Sequence, residues 1–314
     1  MSSPLISIVL PTYNVEDHIE RCLLSIINQS YINFEIIVVD DCGIDSSIKI
    51  ASEYAAKDKR IKVIHNDENQ GTFHARSIGT FKASGQFILY LDPDDELNEG
   101  SLELIYNRID INPNLDILLF DTKYQPELKF WNARYTPIIG VFKKNEVNSI
   151  LKHNNLPYGT LGKLYSKKAA IQGYNFLSIP LTERLVYGED ILIFASVLLY
   201  CNLAVGINDK LYIYHRNSMS ITEKRDKMST TKNIEQLELV IHHLSKLKHH
   251  KNHTKYFDNF ERRIDIYKLS LQKLIADSDT EYLTLMAKLL IKTRSWRIAA
   301  NLTIYCLTLR KVKR

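Results

Sequence analysis

The chain has 314 residues, of which 45% are hydrophobic and 25% are charged, and this composition is typical of a globular protein rather than a disordered one. Its net charge of +5 is too small to indicate a nucleic-acid-binding protein by itself. The four cysteines are scattered without metal-ligand spacing, which predicts reduced thiols in a cytoplasmic protein; we expect no signal peptide, and no stretch approaches the ~20 apolar residues that span a bilayer.

Strand and helix signals alternate along the first 120 residues. Continuous apolar runs predict strands at 5–10, 34–39, 61–64, 87–91 and 115–120. Apolar residues at helical spacing predict helices around 19–26 and at 44–54, 70–82 and 101–109. Apolar strands separated by helices are typical of an α/β protein whose mainly parallel sheet is covered on both faces.

The remainder of the chain is less regular. We expect an irregular segment at 121–144, a helix at 188–199, and short strands at 203–207 and 210–214. From about Met228 onward the pattern is helical, with very little Gly or Pro. The sequence therefore predicts an α/β domain at 1–225 and a separate helical region at 226–314.

Polar residues follow three of the predicted strands, at 11–14, 40–41 and 92–95. Ligands of parallel sheets bind at the carboxyl ends of the strands. Asp92, Asp94 and Asp95 offer the oxygen ligands that Mg²⁺ or Mn²⁺ prefers. A helix N-cap and a calcium loop are the alternatives, and the calcium loop is disfavoured because Leu97 occupies the position that requires glycine.

Other polar groups allow more than one interpretation. A carboxylate of Asp40-Asp41 could accept from a nucleobase or ribose, or simply form a turn. Asp190, in Gly-Glu-Asp at 188–190, could cap a helix or serve as a general base. Arg216 offers a fork for a diphosphate, but a His-Arg pair on a loop is more often a surface feature. No Gly-rich phosphate loop occurs, so a metal would have to balance phosphate charge.

Three stretches together carry a specific resemblance: "SIVLPTYNVEDHIERCLLSIINQSYINFEIIVVDDCGIDSS", "NQGTFHARSIGTFKASGQFILYLDPDDEL" and "YGED". They resemble the family 2 glycosyltransferases of GT-A fold, which are inverting enzymes that use nucleotide-activated sugars and a divalent metal. The resemblance covers 4–125 strongly and 155–220 more loosely. It implies a Rossmann-like mixed, mainly parallel sheet, with a nucleotide-sugar half at about 1–125 and an acceptor half at about 126–225.

The resemblance also implies roles for individual residues. Asp190 would be the catalytic base, and Asp94 or Asp95, in the DxD motif, would hold Mn²⁺ or Mg²⁺. The remaining implied residues would bind the nucleotide sugar: Pro11, Tyr13, Glu16, Asp41, Arg76, Asp92, Lys163, Arg216 and Ser220. Ser77, where the family commonly has Asn, and Pro93, inside DxD, depart from the family pattern without removing a carboxylate.

The expected activity is transfer of a sugar, most simply from a UDP-linked donor, to a hydroxyl of a glycan or glycolipid during synthesis of capsule, O-antigen or lipooligosaccharide. Transfer to a protein or teichoic-type acceptor and a non-catalytic nucleotide-sugar-binding subunit are the alternatives. Residues 291–314 contain seven Lys or Arg and no acid. This segment predicts either peripheral contact with the inner face of the cell membrane or docking on the catalytic domain or a second subunit.

Overall fold

A computed structural model of the chain describes residues 6–127, 139–144, 146–147, 150, 159–216, 226–248 and 254–293. Its helices and strands fall into two compact units, Met1–Asn217 and Ser218–Arg314. The roles predicted for the two domains and for the two halves of the first one stay predictions.

The first unit is built on alternating strands and helices. Its elements are β1 (Ile6–Thr12), α1 (Ile19–Ile27), β2 (Phe34–Asp40), α2 (Ser47–Ala55), β3 (Ile61–His65), α3 (Thr72–Lys82), β4 (Phe87–Tyr90), β5 (Glu96–Leu97), α4 (Ser101–Ile111), β6 (Ile117–Gln125), β7 (Gly140–Lys143), β8 (Lys163–Ser166), α5 (Lys167–Leu177), α6 (Glu189–Leu198) and β9 (Leu203–His215). The predicted strands and helices of the first 120 residues all occur, with ends shifted by a few residues.

These strands form one mixed sheet in the order β3-β2-β1-β4-β8-β6-β9-β5, with β7 paired to β9. β3, β2, β1 and β4 are parallel, as are β6 and β9, whereas β8 runs antiparallel to both β4 and β6. The sequence prediction of a mixed, mainly parallel sheet flanked by helices is confirmed. Because β1, β2 and β4 are parallel, the polar residues that follow them lie at one edge of the sheet.

The apolar patterns explain this arrangement. The first five residues of β1 and the first six of β2 are buried without a break, as expected for strands covered on both faces. Helix α1 packs through Ile19, Cys22, Leu23 and Ile26, which are all fully buried and repeat at helical spacing.

Two expectations for the second half of the unit were wrong. The segment at 121–144 is not irregular at its ends, because β6 continues to Gln125 and Gly140–Lys143 forms β7. Residues 203–215 form one strand rather than two. The strand is continuous because it pairs with β6 on both sides of an irregular register around Asp121. This irregularity accommodates the polar residues of β9 that separate its two apolar runs.

One buried carboxylate anchors the opposite end of the sheet. Glu35 Oε1 accepts from the Ser7 hydroxyl, from the Ser84 amide and hydroxyl, each at 2.6 Å, and from the Gly85 amide, while Oε2 accepts from Lys62 at 2.7 Å. Burial alone would raise the pKa of Glu35, but these hydrogen bonds lower it to about 2. The ionised side chain therefore stabilises the fold above the pKa of about 4.5 that an unfolded glutamate has.

We expect Glu35→Gln to lower the free energy of unfolding at pH 7 by roughly 2–3 kcal/mol, since a shift of this size corresponds to about that much linkage energy. The difference from the wild type should shrink as the pH falls below 4.5 towards 2, because the wild-type carboxylate then takes up its proton. Urea denaturation at pH 7 and pH 3 measures both values, with Glu53→Gln on the exposed face of α2 as the control. A pH-independent difference would contradict this interpretation.

The second unit is helical, with α7 (Lys227–Lys248), α8 (Thr254–Leu274) and α9 (Asp279–Thr293), and this confirms the predicted helical C-terminal region. Leu269 of α8 and Leu285 and Leu289 of α9 share one small apolar cluster. Across the described ranges, no helix is both long and apolar enough to cross a membrane. Residues 294–314, which make up most of the predicted basic segment at 291–314, lie outside the described residues. The predicted contact of this segment with a membrane, the catalytic domain or a second subunit stays a prediction.

Candidate functional site

The loops after β1 and β2 are joined by hydrogen bonds at the carboxyl edge of the sheet. The Glu16 amide donates to Asp45 Oδ2 at 2.8 Å, and Glu16 Oε2 accepts from the Ser46 amide at 2.9 Å. Pro11 pairs within β1 beside β2, while the Tyr13 side chain is 46% exposed beside this joined pair of loops. Tyr13 therefore presents an exposed aromatic ring next to two loops that are joined by hydrogen bonds.

Asp41 lies under the start of α3. Its Oδ1 accepts from the Gln70 amide at 2.8 Å and from Asn66 Nδ2 at 3.0 Å, and its Oδ2 accepts from the Gly71 amide at 2.9 Å. The residue is buried. These contacts make Asp41 an anchor for the N-terminal end of α3, and its predicted contact with a nucleobase stays a prediction.

Arg76 connects three segments that are far apart in the sequence. Its Nη2 donates to Asp92 Oδ1 at 2.6 Å, and its Nη1 donates to Glu189 Oε1 at 2.8 Å. Arg76 and Glu189 are buried, whereas the Asp92 side chain is 41% exposed. Although burial opposes the charge of Arg76, the carboxylates of Asp92 and Glu189 raise its pKa further, so the guanidinium stays charged and holds α3, the turn after β4 and α6 together.

The turn at 92–95 presents its carboxylates in different environments. Asp92 and Asp94 are partly exposed, whereas Asp95 is buried and both of its oxygens bind protein groups. Oδ2 accepts from the Tyr212 hydroxyl at 2.6 Å and Oδ1 from the His215 amide at 2.8 Å. Burial, followed by the charges of Asp94 and Asp92, raises the pKa of Asp95, and the hydrogen bonds from Tyr212 and His215 oppose that rise because they favour the ionised carboxylate.

A divalent cation fits this turn. Within the described residues no three His, Cys, Asp or Glu side chains converge as a protein-only metal site. Mg²⁺ and Mn²⁺ commonly take one or two protein carboxylates and obtain their other ligands from water and phosphate. The carboxylate of Asp94, which is partly exposed on this short turn, matches that requirement without a closed cage of protein ligands.

Asp190 lies in the first turn of α6, where Gly188 has a φ of 78° and precedes the helix. Its Oδ1 accepts from the Ile191 amide at 2.9 Å. Burial raises the pKa of Asp190, and the Arg76 charge opposes that rise. A carboxylate with a raised pKa is suited to accept a proton, because general bases work best when their pKa approaches the operating pH.

The segment before β8 fits closely against Asp190. A Cβ atom added to Gly159 would lie 2.2 Å from Asp190 Oδ2. Lys163 supports this segment, because its Nζ donates to the Gly159 carbonyl at 2.5 Å and to the Leu161 carbonyl at 3.1 Å. The same Nζ lies 4.7 Å from the ring centre of Phe194. Lys163 is fully buried, and burial lowers its pKa to about 7. Its described contacts are with the chain, and its predicted contact with substrate stays a prediction.

Asp190 is the predicted catalytic base, so we expect Gly159→Ala to lower the rate of the predicted reaction by about 10²-fold, because a displacement of about 1 Å at a reacting group can cost that much. Gly159 has an ordinary backbone conformation, so the added methyl group acts by displacing the Asp190 carboxylate. Gly100→Ala is the control, since Gly100 has a φ of 70° and open space around it. This variant should be less stable than the wild type but should keep the wild-type rate per folded molecule. Equal rates for the two variants would contradict the expectation.

The remaining predicted residues lie at the edge of the described site. Arg216 follows β9, is exposed, and donates its amide to the Gln125 carbonyl at 2.9 Å. Ser220 lies outside the described residues. The structure thus brings Arg76, Asp92 and Glu189 into contact, with Asp190 next along α6, and keeps Arg216 on a neighbouring strand end. Sequence reasoning did not single out Glu189, although its position beside Asp190 was a signal.

Comparison with known proteins identifies sequence relatives of this chain. The family model described as "Glycosyl transferase family 2" matches residues 7–172. A putative glycosyltransferase of Bacillus subtilis, EpsH, is 30% identical over 227 residues, which cover 72% of this chain and 65% of that protein. Measured on the relatives' own lengths, the chain spans 41%, 65% and 40% of three of them.

Two solved structures share the fold. TarS 1–349 of Staphylococcus aureus in complex with UDP-GlcNAc matches with a TM-score of 0.61 at 21% identity, over 94% of this chain and 83% of the TarS 1–349 chain. The mannosyltransferase PcManGT of Pyrobaculum calidifontis, in complex with GDP-Man and Mn²⁺, matches with a TM-score of 0.56 at 14% identity, over 98% of this chain and 81% of that one.

Proposed function

The chain belongs to glycosyl transferase family 2, and on that premise we propose that it transfers a sugar from a nucleotide-diphosphate donor to a hydroxyl of a glycan or glycolipid acceptor, with inversion. The observation that carries the proposal is the buried fork of Arg76, which fixes Asp92 on one side and Glu189, the neighbour of Asp190, on the other. Donor-side and acceptor-side carboxylates are thereby held at one edge of the sheet.

Donor binding falls to the residues around the ends of β1, β2 and β4. The exposed ring of Tyr13 can stack on a base, and the partly exposed carboxylate of Asp92 can accept from a ribose hydroxyl. Arg216 can reach a diphosphate from the end of β9. UDP is the proposed nucleotide, and TarS, whose crystals hold UDP-GlcNAc, supports it, whereas PcManGT with GDP-Man keeps guanine as the alternative.

Asp94 is the residue we assign to the divalent cation, since both oxygens of Asp95 already accept from protein donors. When bound, Mn²⁺ or Mg²⁺ supplies Lewis-acid stabilisation of the charge on the diphosphate leaving group. Asp92, fixed by Arg76, keeps the donor-facing end of the turn in place.

Asp190 is the proposed general base. It removes the proton of the acceptor hydroxyl, whose oxygen forms a bond to the anomeric carbon while the bond to the diphosphate breaks on the opposite face. The proton stays on Asp190 and the nucleoside diphosphate leaves, so one displacement inverts the anomeric centre. The raised pKa of Asp190 favours this uptake of a proton.

The proposed setting is synthesis of a bacterial surface polysaccharide, such as capsule, O-antigen or lipooligosaccharide, in the cytoplasm or at the inner face of the membrane. Names of relatives support this class, and one of them, the poly(ribitol-phosphate) β-N-acetylglucosaminyltransferase TarS of Staphylococcus aureus, supports a teichoic-type acceptor as the second candidate. A non-catalytic nucleotide-sugar-binding subunit is disfavoured because Asp94 and Asp190 are both present at the site.

A panel of UDP- and GDP-sugars tests the function. We expect slow, Mn²⁺-dependent release of the nucleoside diphosphate from one donor, abolished by a chelator and restored when Mn²⁺ is added back. A protein that binds these donors but releases nothing from any of them, with or without acceptors, would be the non-catalytic subunit instead.

A further inference from the structure

The carboxylate of Asp95 belongs to a hydrogen-bonded group that the proposed reaction does not use directly. Its residue is 1% exposed, and its two oxygens each accept from a different residue of β9. The Tyr212 hydroxyl donates to Oδ2 at 2.6 Å, and the His215 amide donates to Oδ1 at 2.8 Å. A single side chain of the 92–95 turn is therefore attached at two points along one strand.

The Tyr212 hydroxyl connects both ends of the turn. While it donates to Asp95, it also accepts from the Asp92 amide at 3.2 Å. Tyr212 is itself 1% exposed and is held in β9 by pairing with Leu97 of β5 and Thr122 of β6. The position of the turn is thus set by a hydroxyl that cannot move without disturbing the sheet.

A second set of contacts encloses the same turn. The His215 ring lies 2.5 Å from Glu96 Oε1, which also forms an ion pair with Arg21 Nε at 3.1 Å. Arg21 Nη2 in turn donates to the Asp94 carbonyl at 2.6 Å. The main chain of Asp94 is therefore supported from α1, and its neighbour Asp95 from β9.

We propose that Asp95 and Tyr212 form a latch that positions the carboxylate of Asp94 relative to the end of β9, where Arg216 begins. This inference rests on the proposed function, because it takes Asp94 as the cation ligand and Arg216 as a diphosphate contact. Asp95 is then a positioning residue rather than a ligand. The latch would hold Asp94 and Arg216 at a fixed separation, so that the cation and the guanidinium meet the donor diphosphate together. Residues behind a metal ligand are known to orient the ligand and tune its affinity for the metal.

Two variants isolate the latch. Tyr212→Phe removes the bridging hydroxyl and keeps the ring, and Tyr165→Phe is the matched control, since Tyr165 is fully buried in the same sheet and its hydroxyl has no hydrogen-bond partner among the described residues. Asp95→Asn tests the carboxylate itself. Amide hydrogen exchange without any ligand should be faster at Asp92, Asp95 and His215 in Tyr212→Phe, and unchanged in Tyr165→Phe.

Calorimetric titration with UDP, in Mn²⁺ and in chelator, gives the functional readout. We expect Tyr212→Phe and Asp95→Asn to weaken Mn²⁺-dependent UDP binding by about tenfold and to leave metal-free UDP binding unchanged, as for changes behind a metal ligand. Asp94→Asn should abolish the Mn²⁺-dependent part.

Unchanged exchange in Tyr212→Phe would overturn the latch, and so would an Asp95→Asn variant that loses all Mn²⁺ dependence, because Asp95 would then be a ligand. If wild-type UDP binding does not differ between Mn²⁺ and chelator, the proposed metal-dependent function fails. The exchange comparison, which needs no nucleotide, decides the latch in that case as well.

Discussion

Asp190→Asn should lower sugar transfer by roughly 10²–10⁴-fold, which is the contribution typical of a general base. The amide has nearly the size of the carboxylate and can keep the contact with the Ile191 amide, so the start of α6 should not move. Because the proposed role of Asp190 concerns the acceptor hydroxyl and not the donor, donor binding should stay within about twofold of the wild type, below the ~1 kcal/mol scale of a lost hydrogen bond. Initial rates of nucleoside diphosphate release with acceptor present measure the effect.

The control for this variant is Asp110→Asn, which removes an exposed carboxylate near the end of α4. It should transfer sugar at the wild-type rate. Near-normal turnover of Asp190→Asn, together with an unchanged melting temperature, would show that another group removes the proton.

Arg76→Met should lower the free energy of unfolding by roughly 3–5 kcal/mol, because removing one partner of a buried ion pair leaves an uncompensated charge. Arg76 is 4% exposed and balances Asp92 and Glu189 directly, with Asp190 close by. Urea denaturation at pH 7 measures the loss. Arg108→Met is the matched control, since Arg108 lies 40% exposed and 3.8 Å from Asp209, and should cost less than about 1 kcal/mol.

A double-mutant cycle separates charge from packing. If the loss in Arg76→Met comes from the unpaired Glu189 carboxylate, adding Glu189→Gln should cost much less than Glu189→Gln costs in the wild type, because contacting residues are not additive. Additive losses, or a loss no larger than that of Arg108→Met, would contradict the role of Arg76 as the link between α3, the 92–95 turn and α6.

The strands and helices of the first 120 residues could be predicted from sequence because each depends on local periodicity. The residues at the carboxyl edge could be predicted as well, since a parallel sheet brings its strand ends together. What could not be predicted is which acids are paired. Arg76 meets Glu189 across 113 positions, and Tyr212 meets Asp95 across 117. No spacing rule connects residues so far apart.

Lys163 illustrates the same limit. The family resemblance implied that its side chain could face substrate, and this stays a prediction, but nothing in the sequence indicated that its ammonium lies buried against the carbonyls of Gly159 and Leu161. That orientation depends on the antiparallel insertion of β8 between β4 and β6, which local sequence does not encode. The two predicted strands at 203–207 and 210–214 form one strand for a related reason. β9 pairs with β6 on both sides of the irregular register near Asp121, and local sequence does not reveal that pairing.

We propose that two carboxylates have separate roles: Asp94 binds the cation that meets the donor diphosphate, and Asp190 removes the proton from the acceptor. The direct test is calorimetric titration with UDP in the presence of Mn²⁺, applied to the wild type, Asp94→Asn and Asp190→Asn. Equal melting temperatures of the three proteins would first show that all are folded. We expect Asp190→Asn to bind UDP as the wild type does, whereas Asp94→Asn should lose the Mn²⁺-dependent affinity. Undiminished binding by Asp94→Asn, or an equal loss in both variants, would contradict it.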